Sequence, residues 1–164
     1  MREGTLETLF EAARWAPSCF NEQPWLFLYA ESPIDHALFA SCLVEFNQRW
    51  AAKAPVLAFV LAKKRFDKTG EANRWASFDA GAAWMSLALQ ARKVGLYTHA
   101  MGGFDEEKAY KVLRVPKEEY DILAAVAIGR HGDPEDLPSE MRGGETPSDR
   151  KPLGEVARPG PFGG

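Results

Sequence analysis

The sequence is poor in the residues that build metal centres and disulfide frameworks. It has two cysteines, Cys19 and Cys42, and three histidines in 164 residues. Two cysteines are too few for a disulfide framework or a structural zinc site, and no histidine stands in a Glu-x-x-His or Cys-x-x-Cys context. We therefore expect no metal site, and the cysteine content favours a reducing cytoplasm.

The chain also lacks a strong net charge and a long apolar run. Its 20 basic and 23 acidic residues give a formal charge of −3, which provides no electrostatic case for binding nucleic acid or an anionic membrane. No stretch approaches the roughly 20 apolar residues of a membrane-spanning helix, and none resembles a signal peptide. Motifs of the Gly-x-Gly-x-x-Gly, P-loop and Gly-x-Ser-x-Gly types are absent, so neither a Rossmann site nor a serine nucleophile is indicated.

Length and composition indicate one folded domain. The hydrophobic content is 46% and the charged content is 26%, as in folded soluble proteins and unlike disordered ones. A chain of 164 residues has the usual size of one globular domain. We predict a single domain over residues 1–157 and a Gly/Pro-rich tail over 158–164, which frays or lies along another subunit.

Apolar periodicity predicts four helical regions and four strands. The helical regions are a helix from Thr5, as N-cap, to Ala16, one or two helices over 33–54 capped by Ser32, a helix over 74–94 ended by Gly95, and a helix from the cap Asp105 to Leu113. The strands are 25–30, 56–62, 96–101 and 122–128, and the first two are expected to be covered on both faces. This order predicts an α+β fold with a mixed, mainly antiparallel central sheet flanked by helices.

The 74–94 helix is apolar nearly all round. Two sets of residues alternate along it: Trp75, Phe78, Ala82, Met85, Leu89 and Arg92 in the first, and Ala76, Ala80, Ala83, Leu87 and Ala91 in the second. Such a helix must be buried on most sides. Either a partner subunit covers it or it lies in the centre of the monomer, and the periodicity leaves both open.

Two turns are candidate ligand sites. Pro17 and Pro24 discourage helical geometry before them, so the 17–25 loop has turn N–H groups that need partners. Asn21 and Gln23 could pair with the pyrimidine edge of a flavin, although Asn and Pro also mark ordinary connectors. The paired glycines 102–103 allow close approach of a ligand ring, or serve only a tight strand-to-helix turn.

Several segments resemble the FMN-dependent nitroreductase family. Residues 16–25 follow the pattern Ala-Pro-Ser-x-x-Asn-x-Gln-Pro-Trp and resemble its first flavin-contacting loop. Residues 79–96 resemble its long central helix, and His99-Ala-Met-Gly-Gly-Phe-Asp resembles its second flavin-contacting turn. Residues 127–134 and 150–153 match further along, and these segments occur in the family's order over most of the chain.

The resemblance implies an interlocked homodimer with FMN at the subunit interface. It places one group of residues along the ring, a second at its N5 edge and a basic pair at the phosphate: Pro17, Ser18, Cys19 and Asn21; Met101, Gly102 and Gly103; Arg150 and Lys151. No side chain is expected to be catalytic, because the redox chemistry belongs to the cofactor. Cys19 is expected to be a small residue beside the ligand.

The activity implied by the resemblance is that of an FMN-dependent NAD(P)H oxidoreductase. It would reduce nitroaromatic, quinone or similar flat small molecules by ping-pong hydride transfer through the flavin N5. The 63–73 segment could cover the site, or it is a solvated basic loop.

One departure from the family lies at the N-terminus. An Arg-Arg-Ser-x-Arg-like segment that holds the FMN phosphate in the family has no counterpart here, since Met1 stands fifteen residues before Ala16 and Arg2 cannot be assigned that role. The alternative to an active oxidoreductase is therefore a flavin-binding or structural homodimer whose turnover is weakened or lost.

Overall fold

A computed structural model describes residues 4–162 of the chain, which divide into two compact units. The first unit ends at His131 and the second begins at Gly132. The second unit contains two short 3-10 turns, Pro134–Asp136 and Arg142–Glu145, and one short helix. The predicted arrangement of one domain over residues 1–157 and a tail stays a prediction.

The first unit is built on a four-stranded sheet. Its strands are β1 (Trp25–Tyr29), β2 (Val56–Lys63), β3 (Tyr97–Met101) and β4 (Tyr120–Gly129). The spatial order is β1-β2-β4-β3, and every neighbouring pair is antiparallel. The predicted α+β class with a mainly antiparallel sheet is confirmed, and β1 and β3 are the two edge strands.

Helices cover both faces of this sheet. They are α1 (Thr5–Arg14), α2 (Pro33–Ser41), α3 (Glu45–Ala51), α4 (Ala76–Lys93) and α5 (Glu106–Val112). The short helix of the second unit is α6 (Leu153–Val156). Successive β2 residues point to opposite faces of the sheet, so Ala58 and Val60 join a core with α1 and α4. Leu57 and Phe59 join the other core, with α2, α3 and α5.

Most of the predicted helix signals act as expected. Ser32 and Asp35 form a reciprocal capping box at α2, and Asp105 accepts a hydrogen bond from the N–H of Lys108 at α5. Gly95 ends α4 with φ +77°, a conformation that glycine adopts without steric cost. The prediction of Thr5 as the first N-cap is wrong, because Gly4 holds that position with φ +75° and Thr5 is already helical.

The prediction that β1 is covered on both faces is also wrong. β1 lies at an edge of the sheet, and Leu26 and Tyr29 are exposed. An apolar run does not distinguish an edge strand from a central one, and it is β2 that is buried along its length up to Lys63. The Phe10 ring of α1 lies 5.6 Å from Phe27 and 5.0 Å from Tyr29, so α1 covers one face of β1.

The two faces of α4 differ in this single chain. The inner face is buried and small, with Ala76, Ala80, Ala83 and Ala91 around Leu87. The outer face carries an exposed apolar stripe, defined by Trp75, Phe78, Met85 and Leu89. Neighbours in this stripe are three, seven and four positions apart, which places them on one side of the helix. None of the helices within residues 4–162 is long and apolar enough to cross a membrane.

Candidate functional site

The 17–25 loop joins α1 to β1 through a strained backbone. Phe20, Asn21 and Gln23 all lie in the left-handed region, with φ of 53°, 57° and 51°. Asn tolerates this region, but for other non-glycine residues it costs roughly 1–3 kcal/mol each. Phe20 is 90% exposed, so burial of its ring does not offset the strain. The surrounding hydrogen bonds must therefore hold the loop in this shape.

Most of those bonds lie within the loop. The N–H groups of Asn21 and Glu22 donate to Ser18 O and Cys19 O, both at 3.0 Å. The N–H of Gln23 donates to Ser18 Oγ at 2.9 Å, and Gln23 Nε2 donates to Asn21 O at 3.2 Å. The partners that these turn N–H groups need are therefore supplied by the protein itself. The Gln23 side chain bonds within the loop, whereas the Asn21 side chain is exposed to solvent.

One further bond connects the loop to the helix α4. The N–H of Cys19 donates to Asp79 Oδ2 at 3.0 Å, across 60 positions of sequence. Asp79 lies in the first turn of α4 and is 4% exposed. A carboxylate near a helix N-terminus is favoured by the helix dipole. Sequence reasoning missed this contact, although a lone acid on a buried face of alanines was a usable signal.

The 63–73 segment packs against the same loop. Asp67 N–H donates to Glu22 Oε1 at 2.6 Å, and Lys63 N–H donates to Pro24 O at 2.8 Å. The rings of Phe20 and Phe66 meet edge to face, with centroids 6.1 Å apart. The Lys63 ammonium also bonds to the Asp67 carboxylate, which raises the pKa of Lys63. The segment is thus tied to the loop at both its backbone and its side chains.

The 101–104 turn follows β3 at the other edge of the sheet. Gly103 O accepts hydrogen bonds from Val44 N–H at 3.1 Å and from Asn47 Nδ2 at 2.9 Å. A Cβ at Gly103 would stand 2.5 Å from Asn47 Nδ2 and 3.0 Å from a Val44 methyl carbon. Gly103 is therefore closely packed against the start of α3, and a side chain there would displace Asn47 Nδ2. Asn47 is a site residue that sequence reasoning missed, since no motif marked it.

Gly102 differs from Gly103 in its surroundings. A Cβ at Gly102 would meet nothing within 4 Å, and neither glycine has positive φ. Within residues 4–162, the N–H groups of Gly102 and Gly103 have no acceptor in the protein. The two glycines therefore differ in what their positions suggest. Packing of the turn accounts for Gly103, whereas Gly102 has open space beside it and two unpaired N–H donors, as a ligand ring would need. Met101 itself is buried.

The loop and the turn lie at opposite edges of one sheet. Trp25, at the end of the loop, pairs with Ala62 of β2, and Met101 pairs with Ala125 of β4. Both connections lie toward the carboxyl end of β2, but three strand spacings separate β1 from β3, or about 14 Å. We call the loop and the turn candidate half-sites, and within a single chain they are separate.

Arg150 and Lys151 belong to the second unit and are exposed. Arg150 Nη1 donates to the backbone oxygen and Oγ of Ser148, both at 2.8 Å. The predicted phosphate role of this pair stays a prediction.

Burial raises the pKa of the Cys42 thiol, whose Sγ lies 3.5 Å from Leu38 O, which makes it a poor nucleophile. Across the part of the chain that the structure describes, no group of three or more His, Cys, Asp or Glu side chains could hold a metal ion. His99, for example, packs its ring against Trp50 with centroids 4.8 Å apart.

Comparison with known proteins identifies the family of this chain. The model described as the Nitroreductase family matches residues 30–130, more than half of the chain. The chain belongs to the nitroreductase family. This membership confirms the resemblance read from the sequence, and the family is one of oxidoreductases.

Individual relatives and a solved structure support the same family. YdgI of Bacillus subtilis, which carries an NAD(P)H nitroreductase name, is 28% identical, and the match covers 76% of each chain. SCO7141 of Streptomyces coelicolor, named for NADH dehydrogenase or NAD(P)H nitroreductase activity, is 30% identical over 80% of this chain and 74% of its own. A crystal structure of an oxidoreductase containing FMN superposes with a TM-score of 0.93 and 41% identity, covering all of this chain and 84% of that one.

Proposed function

We propose that this nitroreductase is an FMN-dependent NAD(P)H oxidoreductase that acts as a homodimer on flat small-molecule acceptors such as nitroaromatics and quinones. The observation that carries the proposal is the open face of Gly102, which stands beside two unpaired N–H donors. A planar ring with carbonyl and nitrogen acceptors along its edge matches such a surface. The FMN named for the 41% identical structure is a ligand of this kind.

The residues of both half-sites fit FMN. Gly102 and Gly103 can donate to acceptors at the N5 edge of the ring, and Met101 fixes the start of that turn. Pro17, Ser18, Cys19 and Asn21 form the second half-site, in which Asn21 is exposed and offers both a donor and an acceptor. Arg150 and Lys151 are proposed to bind the phosphate through charge-assisted hydrogen bonds.

Bound FMN would supply the redox chemistry, taking a hydride at N5 from NAD(P)H and delivering it to the acceptor in a second half-reaction. The protein itself has three tasks. The Gly102 turn allows the ring to approach the backbone, and the strained 17–25 loop presents Ser18 and Asn21 in a preorganised shape. The 63–73 segment, tied to that loop, limits the entry of water and of bulky acceptors.

Two features of the first unit support the homodimer. The loop and the turn lie at opposite edges of the sheet, so one complete site needs the loop of one copy and the turn of another. The exposed apolar stripe of α4 provides the surface for that association, since contiguous apolar surface of this kind marks an interface.

The proposed location is the cytoplasm. The two cysteines are both unpaired, which fits a reducing compartment.

An absorption spectrum tests the flavin proposal. The purified protein is expected to show a flavin spectrum, or to acquire one on incubation with FMN, and to oxidise NADH or NADPH when a quinone or nitroaromatic is added. Protein that stays colourless with excess FMN would contradict the proposal. Bound flavin without turnover would favour the alternative of a flavin-binding dimer that has lost its activity.

A charge placed in the α4 stripe tests the dimer. Phe78 is 76% exposed in the single chain, so Phe78→Glu is expected to give a folded monomer that no longer retains FMN. Ile34→Glu on α2, at a residue of similar exposure, is the control and should leave the dimer intact. Sedimentation of both variants gives the oligomeric state, and an unchanged Phe78→Glu dimer would reject this interface.

A further inference from the structure

Asp79 is the only charged residue buried among residues 4–162. It lies on the inner face of α4, between Ala76, Ala80 and Ala83. That face packs into an apolar core, where an alanine would suit the helix better than an aspartate. Burying a carboxylate is unfavourable unless a donor compensates for the lost water. The placement of Asp79 therefore calls for a specific partner.

The structure shows that partner to be the 17–25 loop. Asp79 Oδ2 accepts the N–H of Cys19 at 3.0 Å. Cys19 immediately precedes Phe20, the first of the three left-handed residues, so the contact lies where the strained run begins. The remaining loop bonds are internal or connect the loop to the 63–73 segment. Among the described residues, the bond to Asp79 is the one that connects the loop directly to α4, at the buried inner face of that helix.

We propose that Asp79 is a positioning residue of the flavin site, whose buried carboxylate holds the 17–25 loop in its binding conformation through the N–H of Cys19. The inference rests on the proposed function, because the loop has to bind FMN for its conformation to matter. Because Asp79 is 4% exposed, the proposal gives it no direct contact with flavin or acceptor, and its effect would pass through the backbone N–H of Cys19. Hydrogen bonds to a carboxylate are about twice as strong as neutral ones, which suits a contact that opposes backbone strain.

Without this contact the loop is expected to relax. The left-handed residues would return toward ordinary backbone conformations, and Ser18 and Asn21 would lose their fixed positions. FMN binding would then have to order the loop again, which lowers affinity although no group that contacts the ligand has changed. The prediction is thus a loss of affinity in a protein that remains folded.

Three substitutions and one control test the proposal. Asp79→Ala and Asp79→Leu both remove the acceptor, and Leu preserves the side-chain volume in case Ala leaves a damaging cavity. Asp79→Asn keeps an oxygen acceptor without the charge. Asp35→Ala is the control, because it removes a carboxylate that also accepts a backbone N–H, in the α2 capping box away from the loop.

Two measurements are made on each variant. Amide hydrogen exchange of Cys19 is followed in the flavin-free protein, and the dissociation constant of FMN is measured below the thermal midpoint. Faster Cys19 exchange and FMN binding weakened about tenfold or more are expected for Ala and Leu, with a smaller loss for Asn. Asp35→Ala should change the thermal midpoint and neither of these quantities.

The outcomes separate this inference from the proposed function. If wild-type protein fails to bind FMN, the proposed function fails whatever Asp79 does. If wild type binds FMN and a folded Ala or Leu variant binds it equally well, Asp79 has no positioning role. Unchanged Cys19 exchange in those variants would also overturn the inference, because the loop would then be held by its other bonds.

Discussion

The 17–25 loop and the 101–104 turn serve two halves of one proposed site, but different forces hold them in place. In the loop, three residues have positive φ and a network of hydrogen bonds maintains that backbone. In the turn, no residue has positive φ, and Gly103 is fixed by close packing against Val44 and Asn47. The loop is strained and held mainly by hydrogen bonds, whereas the turn has no positive φ and combines close packing at Gly103 with two hydrogen bonds to Gly103 O.

This difference predicts where substitutions act. A packed turn belongs to the core, so its changes appear in the free energy of unfolding. A strained surface loop contributes little to the core, so its changes appear mainly in ligand binding. The following substitutions, in order of decreasing effect on stability, test whether the two half-sites differ in this way.

Gly103→Ala is expected to have the largest effect on stability. Its Cβ would stand 2.5 Å from Asn47 Nδ2, so Asn47 or the turn must move. The free energy of unfolding should fall by roughly 1–3 kcal/mol, as for other overpacked sites. Chemical denaturation measures it. A loss below about 0.5 kcal/mol would show that the turn is not held by packing.

Asn47→Ala should cost about 1 kcal/mol, because it removes the hydrogen bond from Nδ2 to Gly103 O. FMN affinity should fall as well, since the turn loses its support. Gln48→Ala is the matched control, as Gln48 Nε2 donates to Leu43 O nearby. Equal effects of the two variants on FMN affinity would contradict a specific link between Asn47 and the turn.

Ser18→Ala should cost only about 0.5 kcal/mol, because the bond from Gln23 N–H to Ser18 Oγ lies in an exposed loop. Its effect on FMN affinity should exceed its effect on stability. Ser41→Ala removes a comparable exposed hydroxyl contact, to Leu38 O, and serves as the control. If Ser18→Ala leaves FMN affinity at the wild-type value, the strained loop does not contribute to binding.

Gly102→Ala should have the smallest effect on stability, within about 0.5 kcal/mol, because its Cβ meets nothing within 4 Å. The added methyl group would occupy the space assigned to the flavin ring, so FMN affinity should fall about tenfold or more. Parallel denaturation and FMN titration separate the two effects. Unchanged affinity would show that the ring does not approach Gly102.

Much of the fold could be predicted from local signals. The caps Ser32 and Asp105, the end of α4 at Gly95 and the buried β2 run all depend on short-range chemistry that the sequence displays directly. The edge position of β1 could not be predicted in this way, because the same apolar run is compatible with a central strand and with an edge strand. Strand order depends on contacts between distant segments.

The candidate site was predictable only in part. The motif positions of the 17–25 loop and of glycines 102–103 were read from the family resemblance, and family membership is confirmed, while their roles in binding stay predictions. Asp79 and Asn47 were missed, since their partners, Cys19 and Gly103, lie 60 and 56 positions away. Spacing along the chain cannot show a hydrogen bond that tertiary folding creates.

A mixed dimer tests most directly whether the site combines the loop of one copy with the turn of the other. One chain would carry Ser18→Ala with Asn21→Ala, and the other would carry Gly102→Val, each with its own affinity tag. Neither homodimer should retain FMN. The purified mixed dimer is predicted to hold one FMN for every two chains, because one of its two sites combines an intact loop with an intact turn. If both half-sites came from the same chain, every site would carry a substitution. A mixed dimer without FMN would therefore contradict the account.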